Sequence, residues 1–323
     1  MKLIIITQGI SRVVPPLFES GHQIIAIIES APRGYTKKNK IKIFLYRITA
    51  SLINAFSWNP VTLKAFCEQK KVPYRFMASS TDPGLEDWIR CLQPDLIVVS
   101  GMSQLLQRNI FSLPKYGTIN LHGAYLPEYR GPNPVFWQYY DQILEPGVTV
   151  HYIDDGEDTG DIIKQQRVRI NLGIKAPDWH NLLKGDFGVR LLLDAIREIE
   201  TSTVQRKKQP MKSPTCRARN ISKGEYNEII KWEDWPIDRI WHIMRGTELW
   251  LDCIKQPSGL FWGQRWVVGA YQKLNKSVMP HGLAAGSVYK DLNGYFVHCQ
   301  DGKIRLHRSF SIKALIRSIY RLF

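Results

Sequence analysis

A block of polar residues between positions 118 and 162 contains the side chains best suited to chemistry. Asn120 and His122 stand two apart at the end of a short apolar segment that has the character of a β-strand. Because alternate residues on a strand face the same side, the amide and the imidazole are expected to point together. Both groups, the imidazole in its protonated form, can donate hydrogen bonds to a carbonyl oxygen that becomes negative during acyl transfer.

A carboxylate follows this pair in a glycine-rich turn, residues 155–160. Asp158 in that turn could hold the imidazole in its charged form and help to remove a proton from an attacking amine. The block offers no activated Ser or Cys nucleophile, so direct transfer without a covalent enzyme intermediate is the simpler mechanism. Spacing alone leaves a structural role open, because Asn and His at alternate strand positions often cap the next turn.

The elements that must position these groups alternate between continuous apolar strands and helical segments. Residues 2–7, 23–29 and 95–100 are predicted to be buried strands. This alternation favours an α/β fold with an open, doubly wound, mainly parallel sheet, which places ligands at the carboxyl ends of its strands. The first turn, residues 7–11, lacks the GxGxxG pattern, so no dinucleotide cofactor is indicated.

The chain has 323 residues, which is more than one hydrophobic core usually holds. We expect an N-terminal catalytic domain over residues 1–200 and a basic linker over 201–222. A smaller β-rich, barrel-like domain is expected over 223–310, followed by a basic amphipathic tail over 311–323. The tail could touch a membrane surface or pack back on the protein, and no stable membrane insertion is expected.

The charge balance is strongly basic, with 44 Lys and Arg against 29 Asp and Glu, a net charge of +15 and a pI near 9.6. A basic surface attracts nucleic acid, anionic lipid or phosphorylated small molecules, although it can also serve solubility alone. Five Cys are scattered without CxxC spacing, which argues against a disulfide framework and a zinc site. Reduced thiols indicate a cytoplasmic location.

Four short motifs occur in order and at suitable spacing: Asn-x-His at 120–122, Leu-Pro-x-Tyr-Arg-Gly at 126–131, Gly-x-Thr-x-His at 147–151 and Asp-x-Gly-x-Ile at 158–162. Together they resemble the folate-dependent formyltransferase family, which includes methionyl-tRNA formyltransferase, glycinamide ribonucleotide formyltransferase and sugar N-formyltransferases. The resemblance implies that Asn120, His122 and Asp158 match the catalytic trio of the family. It also implies 10-formyltetrahydrofolate as the formyl donor and no requirement for a metal.

The resemblance further implies contacts to the formyl donor. The pterin of the donor is expected to lie against two segments, represented by Ser100, Gly101, Met102, Leu105, Tyr152, Asp154, Asp155 and Gly156. Tyr129 and Arg130 are expected to bind the acceptor, and the alternative for Arg130 is an anchor for its own loop.

The sequence supports two classes of acceptor amine. The stretch 124–134 and the missing Pro-Trp-Pro signature of the second domain depart from the tRNA enzyme, which favours a nucleotide-linked amino sugar or a similar small amine. Basic residues at 33–42 and 206–219 are the best arguments for charged initiator tRNA, since such residues contact phosphates. A non-catalytic protein that binds tRNA or nucleotides is a further alternative, and a homodimer is possible in each case.

Overall fold

The computed structural model describes residues 1–32, 62–82, 84–248, 251–257, 263–275 and 282–310. The predicted tail at 311–323 and the basic run at 33–42 lie outside these residues. The chain divides into two compact units. Unit 1 comprises Met1–Pro134, Pro146–Val168 and His180–Ala218, and unit 2 comprises Val135–Glu145, Arg169–Trp179 and Arg219–Phe323.

Unit 1 is built on a mainly parallel sheet, which has seven strands among the described residues. The strands are β1 (Lys2–Thr7), β2 (Gln23–Ser30), β3 (Tyr74–Met77), β4 (Leu96–Ser100), β5 (Thr118–His122), β6 (Gly147–Tyr152) and β7 (Ile162–Arg167). Their order is β3-β2-β1-β4-β5-β6-β7. The first five are parallel, whereas β6 and β7 run antiparallel to their neighbours. The predicted α/β class is confirmed.

Helices cover both faces of this sheet. They are α1 (Val14–Glu19), α2 (Leu63–Lys70), α3 (Leu85–Leu92), α4 (Arg108–Phe111) and α7 (Gly188–Glu200), with a π-helical turn at Asn181–Phe187 before α7. Two further helices, α5 (Pro134–Tyr140) and α6 (Ala176–His180), lie mainly in segments of unit 2. Along β1, Leu3 and Ile5 join the core under α1, α2 and α7, while Ile4 and Ile6 join the core under α3 and α4. Strands that are apolar on both faces therefore produce the doubly wound arrangement. No helix in the described part of the chain is long and apolar enough to cross a membrane.

Unit 2 contains an antiparallel sheet that has four strands among the described residues, in the order β8-β11-β10-β9. These strands are β8 (Gln264–Lys273), β9 (Val288–Asp291), β10 (Gly294–Cys299) and β11 (Gly302–Phe310), accompanied by α8 (Ile237–Thr247). Cys299 pairs with Gly302 across the two-residue turn Gln300–Asp301. The predicted hairpin is present, but its turn lies one residue before the predicted Asp-Gly pair at 301–302, because Gly302 is the first residue of β11. The carboxylate of Asp301 in this turn accepts a hydrogen bond from the backbone N–H of Ile237 at the start of α8.

The basic segment 201–222, expected from its composition to be a linker, is packed within unit 1 as far as Ala218. Lys207 exchanges two backbone hydrogen bonds with Ile162 of β7. Ala218 donates to the carbonyl of Arg130 and accepts from the backbone N–H of Asn133. The polar composition of this segment reflects its position on the surface, whereas its backbone is fixed by the sheet edge and by the loop after β5.

Gly246 in α8 gives a packing test of unit 2. A Cβ at this position would lie 2.1 Å from the ring of Tyr139, a buried side chain whose hydroxyl donates to the carbonyl of Ile174. We expect Gly246→Ala to lower the free energy of unfolding by about 1–3 kcal/mol, because a buried aromatic ring must shift. Gly224→Ala is the control, since its nearest neighbour would be 3.9 Å away. Thermal unfolding that shows equal stability for the two variants would contradict this packing argument.

Candidate active site

Asn120 and His122 lie at the carboxyl end of β5, and both line one cavity. In the antiparallel pair of β5 and β6, Asn120 stands directly opposite His151. Side chains at such a position are close neighbours on one face of the sheet. The amide nitrogen of Asn120 is accordingly 3.1 Å from Nε2 of His151.

Asp158 completes this cluster from the turn that follows β6. Its Oδ1 lies 3.5 Å from Nδ1 of His122, 3.5 Å from Nε2 of His151 and 3.4 Å from the amide nitrogen of Asn120. Its Oδ2 accepts a hydrogen bond of 2.9 Å from the backbone N–H of Gly131. The structure therefore brings together the three residues that the sequence singled out, and it adds His151 to them.

Two glycines allow the backbone to place Asp158. Gly160, two residues after it, has no room for a side chain, since a Cβ would lie 2.0 Å from the carbonyl oxygen of Tyr152. Gly131, which supplies the N–H to Asp158, has a φ of 124°. Asp158 itself has a φ of 55°, a left-handed conformation that Asp adopts more readily than most residues. The glycines of these motifs are therefore required by the close approach of two loops.

The hydrogen bonds of the two histidines define which ring nitrogens carry protons. Nε2 of His122 lies 3.1 Å from the carbonyl oxygen of Tyr129, so this nitrogen must donate. Nδ1 of His151 lies 2.8 Å from the carbonyl oxygen of Tyr152 and donates likewise. Nε2 of His151 is then free to accept from the amide of Asn120, which fixes the orientation of that amide. Nδ1 of His122, which faces Asp158, remains the nitrogen able to gain or lose a proton.

The cavity beside these groups has a volume of about 180 Å³. Its walls come mainly from two segments, 101–106 after β4 and 153–158 after β6. Among the residues predicted to contact a pterin, those that line it are Gly101, Met102, Leu105, Asp154 and Gly156.

The other predicted pterin contacts lie beside the cavity. Ser100 is buried at the end of β4, Asp155 is paired with Arg108, and the ring of Tyr152 is covered by Arg206, with 3.9 Å from its guanidinium carbon to the ring centroid. These three residues are not among those that form the cavity wall.

Tyr129 and Arg130 are buried and do not form part of the cavity wall. The guanidinium of Arg130 donates to the side chain of Gln209 and to the carbonyls of Pro210 and Met211. These bonds anchor the loop after β5 to the basic segment of unit 1. Acceptor binding by Tyr129 and Arg130 stays a prediction.

Burial and neighbouring charge act in opposite directions on the carboxylate–imidazole pair. Burial alone would raise the pKa of Asp158, but the imidazoles of His122 and His151 and the N–H of Gly131 outweigh it and hold that pKa well below its usual range. Burial lowers the pKa of His122, an effect that Asp158 opposes and that His151 and Lys184 reinforce. In the free protein at neutral pH the carboxylate is therefore ionised and the imidazole is mainly neutral.

Two charged residues of the cavity wall were not among the predicted site residues, Glu157, which is paired with Arg217, and Lys184 in the π-helical turn. Glu157 is next to Asp158 in the predicted turn, whereas Lys184 is remote from every motif. The only signal was a single Lys between Leu183 and Gly185, which is not distinguishable from a solvated helix residue. His151 was considered, but a structural role was left equally open. Its position opposite Asn120 becomes visible only when β6 is known to run antiparallel to β5.

The opposing effects on His122 predict its titration. We expect its imidazole to lose its proton below the ordinary pKa of about 6.5, because burial disfavours the cation. Asp158→Asn removes the charge that favours the cation, so the pKa of His122 should fall further in that variant. Side-chain nitrogen NMR of the histidines over a pH series measures both values, and a rise of the His122 pKa in Asp158→Asn would refute the assignment.

Known proteins resemble this chain in sequence over most of its length. Residues 51–181 match the family described as Formyl transferase. A methionyl-tRNA formyltransferase of Acetivibrio thermocellus is 30% identical over 226 residues, which cover 69% of this chain and 68% of that protein. A methionyl-tRNA formyltransferase of Caldanaerobacter subterraneus subsp. tengcongensis is 25% identical over 290 residues, which cover 90% and 85% of the two chains.

Solved structures share the fold. An N-formyltransferase of Helicobacter canadensis, crystallised with folinic acid and dTDP-3-aminofucose, superposes with a TM-score of 0.63 at 18% identity and covers 96% of this chain and 100% of its own. The sugar 3N-formyltransferase WlaRD, crystallised with dTDP and 5-N-formyl-tetrahydrofolate, gives 0.58 at 17% identity, covering 97% and 99% of the two chains. On the strength of the sequence relatives, the chain belongs to the formyltransferase family and is a formyl-transferring enzyme.

Proposed function

We propose that this enzyme transfers a formyl group from a reduced folate directly to a primary amine, using Asn120, His122 and Asp158. The observation that carries the proposal is the convergence of an amide, an imidazole and a carboxylate on one cavity, with Oδ1 of Asp158 within 3.5 Å of polar atoms of the other two. No covalent intermediate on the protein is invoked. The donor we propose is 10-formyltetrahydrofolate, which supplies an activated formyl group on nitrogen.

The composition of the cavity wall suits a pterin. Met102, Leu106 and Ile153 provide apolar surface, while Ser103, Gln104 and Asp154 bring polar residues to the same space. A flat heteroaromatic ring with hydrogen-bonding edges requires this combination of surfaces. The two solved formyltransferases reported with folinic acid or 5-N-formyl-tetrahydrofolate lend support to a folate donor here.

Bond changes in the transfer can be assigned to this chain's own residues. The amine must attack as a neutral group, and its lone pair forms the new C–N bond while the carbonyl electron pair moves onto the formyl oxygen. Asn120 and His122 stabilise the charge on that oxygen, and Asp158 accepts the proton released by the amine. The bond from the formyl carbon to the carrier nitrogen then breaks, and the carrier nitrogen keeps the electron pair and gains a proton.

The low pKa of His122 in the free protein suits this role. A neutral imidazole beside Asp158 becomes a better proton acceptor as negative charge develops on the formyl oxygen, since a second anion then faces it. The proton that Asp158 accepts from the amine can then pass to Nδ1 of His122, 3.5 Å away, and it is released again to the carrier nitrogen when the bond to the formyl carbon breaks. This preference for the transition state over the ground state is what accelerates a chemical step.

Removal of the amide should reduce turnover without unfolding the protein. We expect Asn120→Ala to lower kcat by about 10²–10³, as for loss of one oxyanion donor. Asn171→Ala, at an exposed position outside the cavity, is the matched control and should retain normal kcat. Formyl transfer by Asn120→Ala at a rate near that of the parent protein would overturn the assigned role.

Asp158→Asn tests whether this carboxylate takes part in the transfer, and the parent protein in the same assay tests whether transfer occurs at all. An enzyme that uses this carboxylate should lose turnover by orders of magnitude while it still binds tetrahydrofolate. A protein that only binds nucleotides or tRNA would show no formyl transfer even with the parent sequence. Titration calorimetry and a transfer assay on the same samples distinguish these outcomes.

For the acceptor we propose an amino sugar linked to a nucleotide. The strongly basic chain favours an anionic acceptor, and the sequence departures at 124–134 favour a small one. The second candidate is methionyl-tRNA, because the sequence relatives reported above are methionyl-tRNA formyltransferases.

The two acceptors can be tested side by side. Purified protein is offered the folate donor with a panel of nucleotide-linked amino sugars, or with methionylated initiator tRNA, and products are followed by mass spectrometry. Nucleotide sugars that lack the amine and uncharged tRNA are the controls. Formylation of the tRNA with a higher kcat/KM than any of the sugars would reject the first acceptor in favour of the second.

A further inference from the structure

Lys184 lies in the π-helical turn Asn181–Phe187, between α6 and α7. A π-helical turn is uncommon and occurs frequently at functional sites, because it changes which residues of a helix face inward. Here the turn brings a charged residue to the cavity wall, although the neighbouring Leu183 is fully buried in the core. Packing of apolar side chains does not account for a charged residue at this position of the turn.

The side chain of Lys184 shares the cavity with Asn120, His122 and Asp158. It is partly buried, and the structure gives it no hydrogen bond or ion pair with the other described residues. A lysine in such a place normally has a carboxylate or carbonyl partner, since an unpaired buried charge is costly. The partner of Lys184 is therefore to be sought in what occupies the cavity.

The surroundings of Lys184 indicate the charge of that partner. Arg12, whose Nε donates to the side chain of Asn181 at 2.7 Å, adds a second cation close to it. His180 remains neutral, because burial and then the charges of Lys184 and Arg12 lower its pKa to about 3. Asp158 is the anion that acts on Lys184, but it already accepts the N–H of Gly131 and faces both imidazoles. A further negative oxygen fits this position.

We propose that Lys184 is a fourth functional group of the reaction, whose ammonium stabilises the negative charge that develops on the formyl oxygen. This inference rests on the proposed function, since only acyl transfer in this cavity creates that charge. The bond changes are those given above, and Lys184 neither gains nor loses a proton in them. Its interaction is made in the transition state and is lacking in the free protein, so it affects kcat rather than substrate binding.

The burial of the Lys184 ammonium predicts opposite effects of its removal on stability and on turnover. Burial lowers the pKa of Lys184, with Arg12 adding to the effect and Asp158 opposing it, so the cation is unfavourable in the free protein. Lys184→Met should therefore raise Tm while it lowers kcat. A lysine with a merely structural role would show the opposite, a lower Tm with unchanged kcat per folded molecule.

The experiment measures kcat, both KM values, the Kd for tetrahydrofolate and Tm for the parent protein, Lys184→Met and the control Lys223→Met, an exposed lysine in unit 2. We expect kcat of Lys184→Met to fall 10-fold to 100-fold, in the range below loss of a direct oxyanion donor. The KM values and the Kd should stay within about 3-fold of the parent values, Tm should rise, and Lys223→Met should match the parent.

A rescue variant restores the charge by a different route. Lys184→Cys treated with 2-bromoethylamine regains an ammonium of nearly the original length, and its kcat should recover several-fold, while the same treatment leaves the parent kcat unchanged. Normal kcat in Lys184→Met, or a defect confined to the KM of one substrate, would overturn the inference. A parent protein that transfers formyl to no acceptor would refute the proposed function instead, so the two failures are distinguishable.

Discussion

The geometry of the candidate site depends on keeping one partly buried carboxylate ionised. Asp158 accepts a hydrogen bond from the backbone N–H of Gly131, lies 3.4 Å from the amide nitrogen of Asn120 and faces two imidazoles. These neighbours hold its pKa low against the effect of burial, because the imidazoles stabilise the carboxylate as soon as they gain protons on lowering the pH. The close approach of the backbone at Gly131 and at Gly160 brings these neighbours around Asp158. The neutral state of His122 in the free protein, and the position of its exchangeable Nδ1, follow from the same balance.

The directions of the strands also determine the geometry of the site, because the functional side chains come from two antiparallel strands. β5 ends the parallel part of the sheet, and β6 returns antiparallel to it. Asn120 and His151 therefore meet as a cross-strand pair, and the turn after β6 carries Asp158 back to the end of β5. The cross-strand pairing and the return of this turn together bring residues 38 positions apart in sequence to one cavity.

Much of this arrangement could be predicted from the sequence, and the parts that could not have a physical reason. Apolar runs such as residues 2–7 and 95–100 specify buried strands directly, and the period of two relates Asn120 to His122. The contact between Arg130 and segment 209–211 joins residues about 80 positions apart, which no local pattern encodes. Composition alone predicted a linker over residues 201–222, whereas this segment is packed within unit 1 as far as Ala218. Lys184 was missed because its place in the cavity wall depends on a π-helical turn, which hydrophobic periodicity does not reveal.

The packing of segment 201–218 within unit 1 bears on how the enzyme is made. Residues 126–131 follow β5 and are synthesised early. The hydrogen-bond partners of Arg130 and Asn133, however, belong to a stretch that is synthesised more than 70 residues later. During translation the loop 126–131 therefore lacks these hydrogen bonds until the chain as far as Ala218 has left the ribosome. Contacts of such wide sequence separation form late and slowly. A nascent chain stalled before that point would hold a nearly complete sheet beside a reaction centre that is not yet assembled.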